Sequence, residues 1–203
     1  MFERTFNRCM GLWADAQTLH MSTLYQLWRF DNTLEGAQTH EGYDRVYVPR
    51  LAYTTGDLDV HDVALDADGR ILFANTLFNC VGVASATHSF APLWRPRFIS
   101  ALVPEDRCHL NGLALRDGRL RYVTCVSNSD AIDGWREHRV GGGIVLDVES
   151  GEVVATGLSM PHSPRWYAGR LWLHDSGTGR FGYVDLKRGA FQEVRSAPAT
   201  CAA

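Results

Sequence analysis

The chain has 203 residues, 20 Lys and Arg against 23 Asp and Glu, and a formal net charge of -3. It is 45% hydrophobic, 21% charged and 11% aromatic, an ordinary globular composition that excludes disorder, collagen and coiled coil. Balanced charge with no polybasic run argues against nucleic acid or a membrane surface as partner, and no apolar run approaches the roughly 20 residues that span a bilayer.

Four segments of one design follow along the chain. They are MGLWADAQTLHMSTLYQLWRF from Met10, HDVALDADGRILFANTLF from His61, NGLALRDGRLRYVTCVS from Asn111 and HSPRWYAGRLWLHDSG from His162. Each predicts a short apolar strand, a tight turn (DAQT, DADGR, RDGR, YAGR) and a second strand. The starts at 10, 61, 111 and 162 are 51, 50 and 51 residues apart. In the third segment GIVLDV, the turn ESGE and VVAT predict a further hairpin; in the fourth, FGYVDL, KRG and AFQEV do the same. Four antiparallel strands in about fifty residues make one β-propeller blade, and no segment sustains helical periodicity. A β-sandwich would not need that period. The expected fold is therefore all-β, a propeller of four recognisable blades over residues 1–196, with 197–203 as an unstructured tail.

The five cysteines (Cys9, Cys80, Cys108, Cys125, Cys201) form no CxxC pair and read as reduced thiols of a cytoplasmic protein. The first residues, MFERTFNRCMGLWADAQ, lack the apolar stretch of a signal peptide.

Propeller topology sorts the loops by face. The turns joining strands one to two and three to four (DADG, RDGR, YAGR, ESGE, KRG) are short and plain. The connections on the other face are long and rich in polar groups: YTTGDLDVHD, residues 88–111, residues 127–142, GLSMPHSPR and DSGTG. Long loops on a rigid scaffold carry binding sites. On that face the first residues of strand one (Met10, His61, Asn111, His162) line the central channel, with Asp62 and His109 beside them.

The wording of strands one and two (HDVALDADGRILFANT, NGLALRDGRLRYVT) resembles six-bladed propellers of the SMP-30/gluconolactonase, paraoxonase and NHL group. A longer resemblance runs through FERTFNRCMGL, YQLWRF, VYVPR, TGDLDVHD, HSFAPLWRPRFIS, EDRCHLNGLA, GLSMPHSPRW and LWLHDSGTG. On these the chain is similar to the bacterial family TIGR03032, also DUF4915, which implies the fold and no particular reaction. Members of that family extend beyond both ends of the four repeats. The expectation is thus a partial propeller, with open blade edges available for self-association, rather than a closed four-bladed ring. The related propellers place metal ligands where their inner strands begin: oxygen donors for calcium in some, three His for zinc in another.

On that basis His61, Asn111 and His162 are the candidate ligands of one divalent ion (zinc, iron or calcium). The opposing reading is that they satisfy backbone groups around a hydrated channel. If the protein is an enzyme, a metal-assisted lyase or hydrolase fits best, with Arg165 binding an anionic group and Asp62 or His109 moving the proton. Arg95 and Arg107 are candidates for a small polar or anionic ligand, against an alternative of ion pairs pinning their loop. Trp94 and Trp135 are candidate pocket walls, and Asp175 a candidate contact, against packing and a strand-end turn. The rival function is a non-catalytic scaffold presenting Trp94, Trp135 and the Arg95-to-Arg107 loop to a protein or peptide. GGG at 141–143 opens a strand and is no phosphate cradle, GxSxG is absent, and Cys108 reads as buried and structural.

Overall fold

A computed structural model describes residues 5–196; the expected tail lies outside the described residues. Sixteen strands form four antiparallel sheets, each of four strands taken in chain order. The first holds β1 (Leu12–Ala14), β2 (Thr18–Ser22), β3 (Gln26–Asn32) and β4 (Tyr47–Thr54). The second holds β5 (Val60–Leu65), β6 (Ile71–Asn75), β7 (Cys80–Val83) and β8 (Ala91–Trp94). The third holds β9 (Leu110–Arg116), β10 (Arg119–Cys125), β11 (Gly143–Asp147) and β12 (Val153–Leu158). The fourth holds β13 (Pro161–Tyr167), β14 (Arg170–Asp175), β15 (Arg180–Asp185) and β16 (Ala190–Ser196). The fifty-residue period is a period of blades.

The core consists of three layers between consecutive sheets. Leu27, Val63 and Phe73 belong to the layer joining the first and second sheets. Leu72, Leu113 and Val123 belong to the next, and Tyr122, Leu171 and Leu173 to the last. Alternation along each second strand produces this layering, since successive side chains of β6 face opposite neighbours. Among the described residues, no strand of the first sheet packs on the fourth as consecutive sheets pack on each other. The blades form an open arc.

Each inner strand begins through a left-handed residue. Arg8, Asp59, His109 and Met160 have φ of 53°, 51°, 53° and 49°, and their numbers keep the 51, 50, 51 spacing. Non-glycine residues reach this region only under structural constraint. Three positions on, the repeat holds Gly11, Asp62, Gly112 and Ser163. A Cβ on Gly112 would lie 2.4 Å from the Pro164 ring and 2.6 Å from Thr124 Oγ1. Glycine there lets β9 and β13 approach. Gly112→Ala is expected to lower stability by about 2 kcal/mol through overpacking, read as a fall in the urea midpoint with unchanged slope.

The plain side departs from expectation at two places. Residues 33–46, between β3 and β4, form a long connection, held where Asn32 Oδ1 accepts from the backbone N–H of Val46 (3.0 Å) and Leu34 (3.3 Å). Residues 84–90 form a second. The asymmetry between faces is real in the second half of the chain and incomplete in the first.

Candidate functional site

Three imidazoles from three blades meet where the inner strands begin. The His61 ring centroid lies 4.8 Å from that of His109 and 6.3 Å from that of His162. Met10, the first-blade counterpart, is 43% exposed and lines a separate crevice with Arg8, Thr23 and Asp59. The inner strands β5, β9 and β13 are irregular at this level. Register shifts fall between Val60 and Val63, between Thr124 and Cys125 opposite Asn111, and between His162 and Arg165. Such bulges re-aim side chains next to sites.

The left-handed residues fix the rings. The carbonyl of Asp59 lies 3.0 Å from His61 Nδ1, and that of Met160 lies 2.8 Å from His162 Nδ1. A carbonyl only accepts, so Nδ1 carries the proton in both rings and Nε2 carries the lone pair. Thr76 agrees with this. Its hydroxyl donates to the Leu110 carbonyl (2.7 Å), leaving its oxygen to accept from His61 Nδ1 at 2.8 Å. His109 is held differently: its Nδ1 lies 2.6 Å from Asp106 Oδ2, and its ring stacks on Trp135 at 4.1 Å. Burial, reinforced by the neighbouring His109, lowers the His61 pKa. Burial likewise lowers that of His162, overriding its bond to the Met160 carbonyl. Both rings are neutral bases at pH 7.

Asn111 joins this group through its amide. Thr124 Oγ1 donates to Asn111 Oδ1 at 2.8 Å, which turns Asn111 Nδ2 toward His162 Nε2 at 3.2 Å. His61, Asn111 and His162 therefore come together, but His162 Nε2 already accepts a hydrogen bond and Asn111 offers N–H rather than oxygen. Among the described residues, no three His, Cys, Asp or Glu side chains are disposed to hold a metal ion. As arranged, this donor set does not fit a divalent cation.

The other expected residues occupy defined places. Asp62 is buried and grips Arg165 through two bonds of 2.8 Å, while accepting from the N–H groups of Val63 (3.0 Å) and Leu113 (3.1 Å). Arg107 binds Glu105, Ser100 and Asp130, so it pins its own loop. Arg95 is exposed, and Trp94 packs against the layer between the second and third sheets. Asp175 is fully buried and holds Ser159 N–H, Thr178 Oγ1 and Arg180. Its role is to close the ends of β13 and β14. Trp135 is buried on His109 and so adds nothing to an exposed surface around Trp94 and Arg95. The four described cysteines are free, and burial raises the Cys80 thiol to about 12 and Cys108 well above its usual range.

Thr76 and the contacts of His109 with Asp106 and Trp135 were not singled out from the sequence. The repeat itself held the signal for His109: it occupies the position of Asp59 and Met160, two residues before the channel-lining residue. Two buried polar atoms next to His109 have no partner, Asp106 Oδ1 and Trp135 Nε1.

Known proteins of similar structure are propellers. A virginiamycin B lyase from Staphylococcus aureus superposes with a TM-score of 0.52 at 12% identity, over 96% of this chain and 58% of that one. A streptogramin B lyase superposes with a TM-score of 0.51 at 12% identity, over 93% of this chain and 55% of that one. At this identity the likeness establishes the fold, and the chain spans little more than half of either propeller. No curated protein sequence matches it. A family profile described as "Domain of unknown function (DUF4915)" matches residues 1–199.

Proposed function

The chain belongs to the DUF4915 family, and from that premise we propose that its imidazole cluster is the acid–base centre of a lyase or hydrolase acting on a small polar substrate. One observation carries the reading: His61, His109 and His162, from three separate blades, gather within 6.3 Å of His61 with their Nδ1 atoms engaged. A base whose tautomer is fixed by a partner on its other nitrogen is ready to take a proton at Nε2. Asp106 Oδ1 and Trp135 Nε1, buried beside His109 without partners, make the surroundings of the cluster polar, which favours a polar substrate. The matched propellers named above are lyases, which supports the reaction class without fixing the substrate.

His109, held by Asp106, is the group we assign to proton abstraction and, as the imidazolium so formed, to proton return, while the Nε2 lone pair of His61 accepts a hydrogen bond from the substrate. In an elimination, an imidazole takes a proton from carbon, the carbon–oxygen bond breaks as a double bond forms, and the departing oxygen receives a proton. In hydrolysis the same imidazole takes a proton from the attacking water, the water oxygen bonds to the acyl carbon as the acyl–oxygen bond breaks, and the departing oxygen takes that proton back. Asn111 positions His162, and the Asp62–Arg165 pair holds the three inner strands together.

The test is a panel of esters and lactones, with virginiamycin B among them, assayed on the protein and on His61→Ala and His109→Ala. Each variant is expected to lose about 100-fold or more in kcat while keeping its circular dichroism. Unchanged turnover in both variants, or no turnover of any panel member by the parent, would sink the acid–base reading. Elemental analysis separates the metal-dependent form: about one equivalent of zinc, iron or calcium per chain would replace this reading with a metal-assisted one.

A further inference from the structure

One place in the repeat is filled differently in the first blade. Trp13, Ala64 and Ala114 are 51 and 50 residues apart on the inner strands, and they stand opposite His20, Leu72 and Tyr122 on the second strands. Leu72 and Tyr122 are buried in the layers between their own sheet and the next. His20 faces the second sheet in the same way, since Ser22, two residues on, donates to the Val60 carbonyl at 3.2 Å. It is as deeply buried, at 2% exposure, yet its ring nitrogens bond no described residue. Burial, and after it the neighbouring Arg29, lowers its pKa, so the ring is neutral at pH 7. A buried nitrogen without a partner costs stability, and the second and third blades fill the same place with Leu and Tyr.

Beside His20 a cleft of about 420 Å³ opens between the first and second blades, within the size range of small-molecule sites. Both of its walls are sheets of this chain. On the first, Arg29 stands directly opposite His20. Arg29 donates to Asp31 through Nε (2.7 Å), and its Nη groups donate to no described residue. The second wall is aliphatic, with Leu65, Ile71 and Val83, and carries Arg70, which is bound to Asp66 through Nε (2.8 Å). Asp15 also lines the cleft, but its Oδ1 is committed to the N–H groups of Gln17 (2.8 Å) and Thr18 (2.6 Å).

We propose that this cleft is a second ligand site, for a small monocarboxylic acid with a branched aliphatic or aromatic body. The Arg29 Nη groups take the carboxylate, whose planar pair of oxygens matches the guanidinium fork. The His20 ring adds a hydrogen bond, and the body of the acid rests on Leu65, Ile71 and Val83. Asp31 behind Arg29, Asp66 behind Arg70 and Asp15 in the lining leave no surplus positive charge, so phosphate dianions and dicarboxylates are disfavoured. The site is independent of the chemistry at the imidazole cluster.

Heteronuclear NMR of the full chain, with isovalerate or benzoate added to about 20 mM, tests the assignment. The His20 ring signals should shift and saturate with a Kd on the order of 1 mM, the strength open to so few ligand atoms. Isopentanol and benzyl alcohol, which keep the body and lack the charge, should bind at least about tenfold more weakly, as should either acid to Arg29→Gln. His20→Leu, which installs the residue type of Leu72, should keep the urea midpoint and lose at least about fivefold in affinity, read on the Gly69 and Ile71 amides. Overturning results are no saturating shift at His20, alcohols binding as tightly as the acids, undiminished affinity in a folded variant of either residue, or shifts confined to His61, His109 and His162.

Discussion

Asp62→Ala is expected to lose about 3 kcal/mol of folding stability, among the largest effects of any single substitution in this chain. The carboxylate is buried and receives four hydrogen bonds, two from Arg165 and two from the backbone N–H groups of Val63 and Leu113. These donors belong to the second, third and fourth sheets, so one side chain ties three inner strands. Breaking a buried pair costs about 3–5 kcal/mol, and the value here belongs at the low end because the Arg165 side chain keeps 44% of its exposure and can rehydrate. Asp62→Asn keeps the shape, retains an acceptor oxygen and should lose about half as much. Urea unfolding with both variants decides the matter. Equal midpoints for parent and Asp62→Ala would mean that the pair is not a clamp, and would return Asp62 to candidacy as a proton carrier.

The blades were legible because alternation and turn chemistry are local, and a period that recurs four times averages out local noise. The hairpins at GIVLDV–VVAT and FGYVDL–AFQEV stand where their patterns place them, as β11–β12 and β15–β16. His61, Asn111 and His162 were legible for the same reason, as equivalent positions of one repeat. What the pattern did not disclose are properties of pairs in space. The bond that turns Asn111 Nδ2 to His162 depends on Thr124, thirteen residues away across β9 and β10. The link from His61 to the third blade depends on Thr76 reaching the Leu110 carbonyl. Asp62 and Arg165, read as separate actors, are partners because β5 and β13 both flank β9. Residues 33–46 escaped notice because propeller topology assigns that turn to the plain face without limiting its length.

Acidification is expected to unfold this protein from about pH 6.5 downward, more steeply than its carboxylates alone would require. Three histidines have pKa values lowered from 6.5: His20, buried and beside Arg29, and His61 and His162 in the cluster. Below pH 6.5 the unfolded chain binds protons at these rings while the folded chain does not. Stability is therefore complete above about 6.5 and falls as pH drops toward the lowered folded values. Each ring contributes at most about 1.4 kcal/mol per pH unit in that window, so three contribute at most about 4. The depressed carboxyl of Asp130, held at about 2 by Ser100 and then Arg107, acts in a different range. Its contribution is present above its ordinary value of 3.8 and is lost only as pH falls below that. Urea midpoints at about pH 7.5, 6.5 and 5.5 measure the slope. A His61→Gln, His162→Gln double variant should keep only the His20 share of the parent's dependence. A flat profile between 7.5 and 5.5 would mean that the cluster accepts charge in the folded state, and the rings could not serve as the neutral bases that the acid–base reading requires. Proton uptake is thus where the stability of the arc and the chemistry proposed for its channel mouth meet, in one cluster of imidazoles.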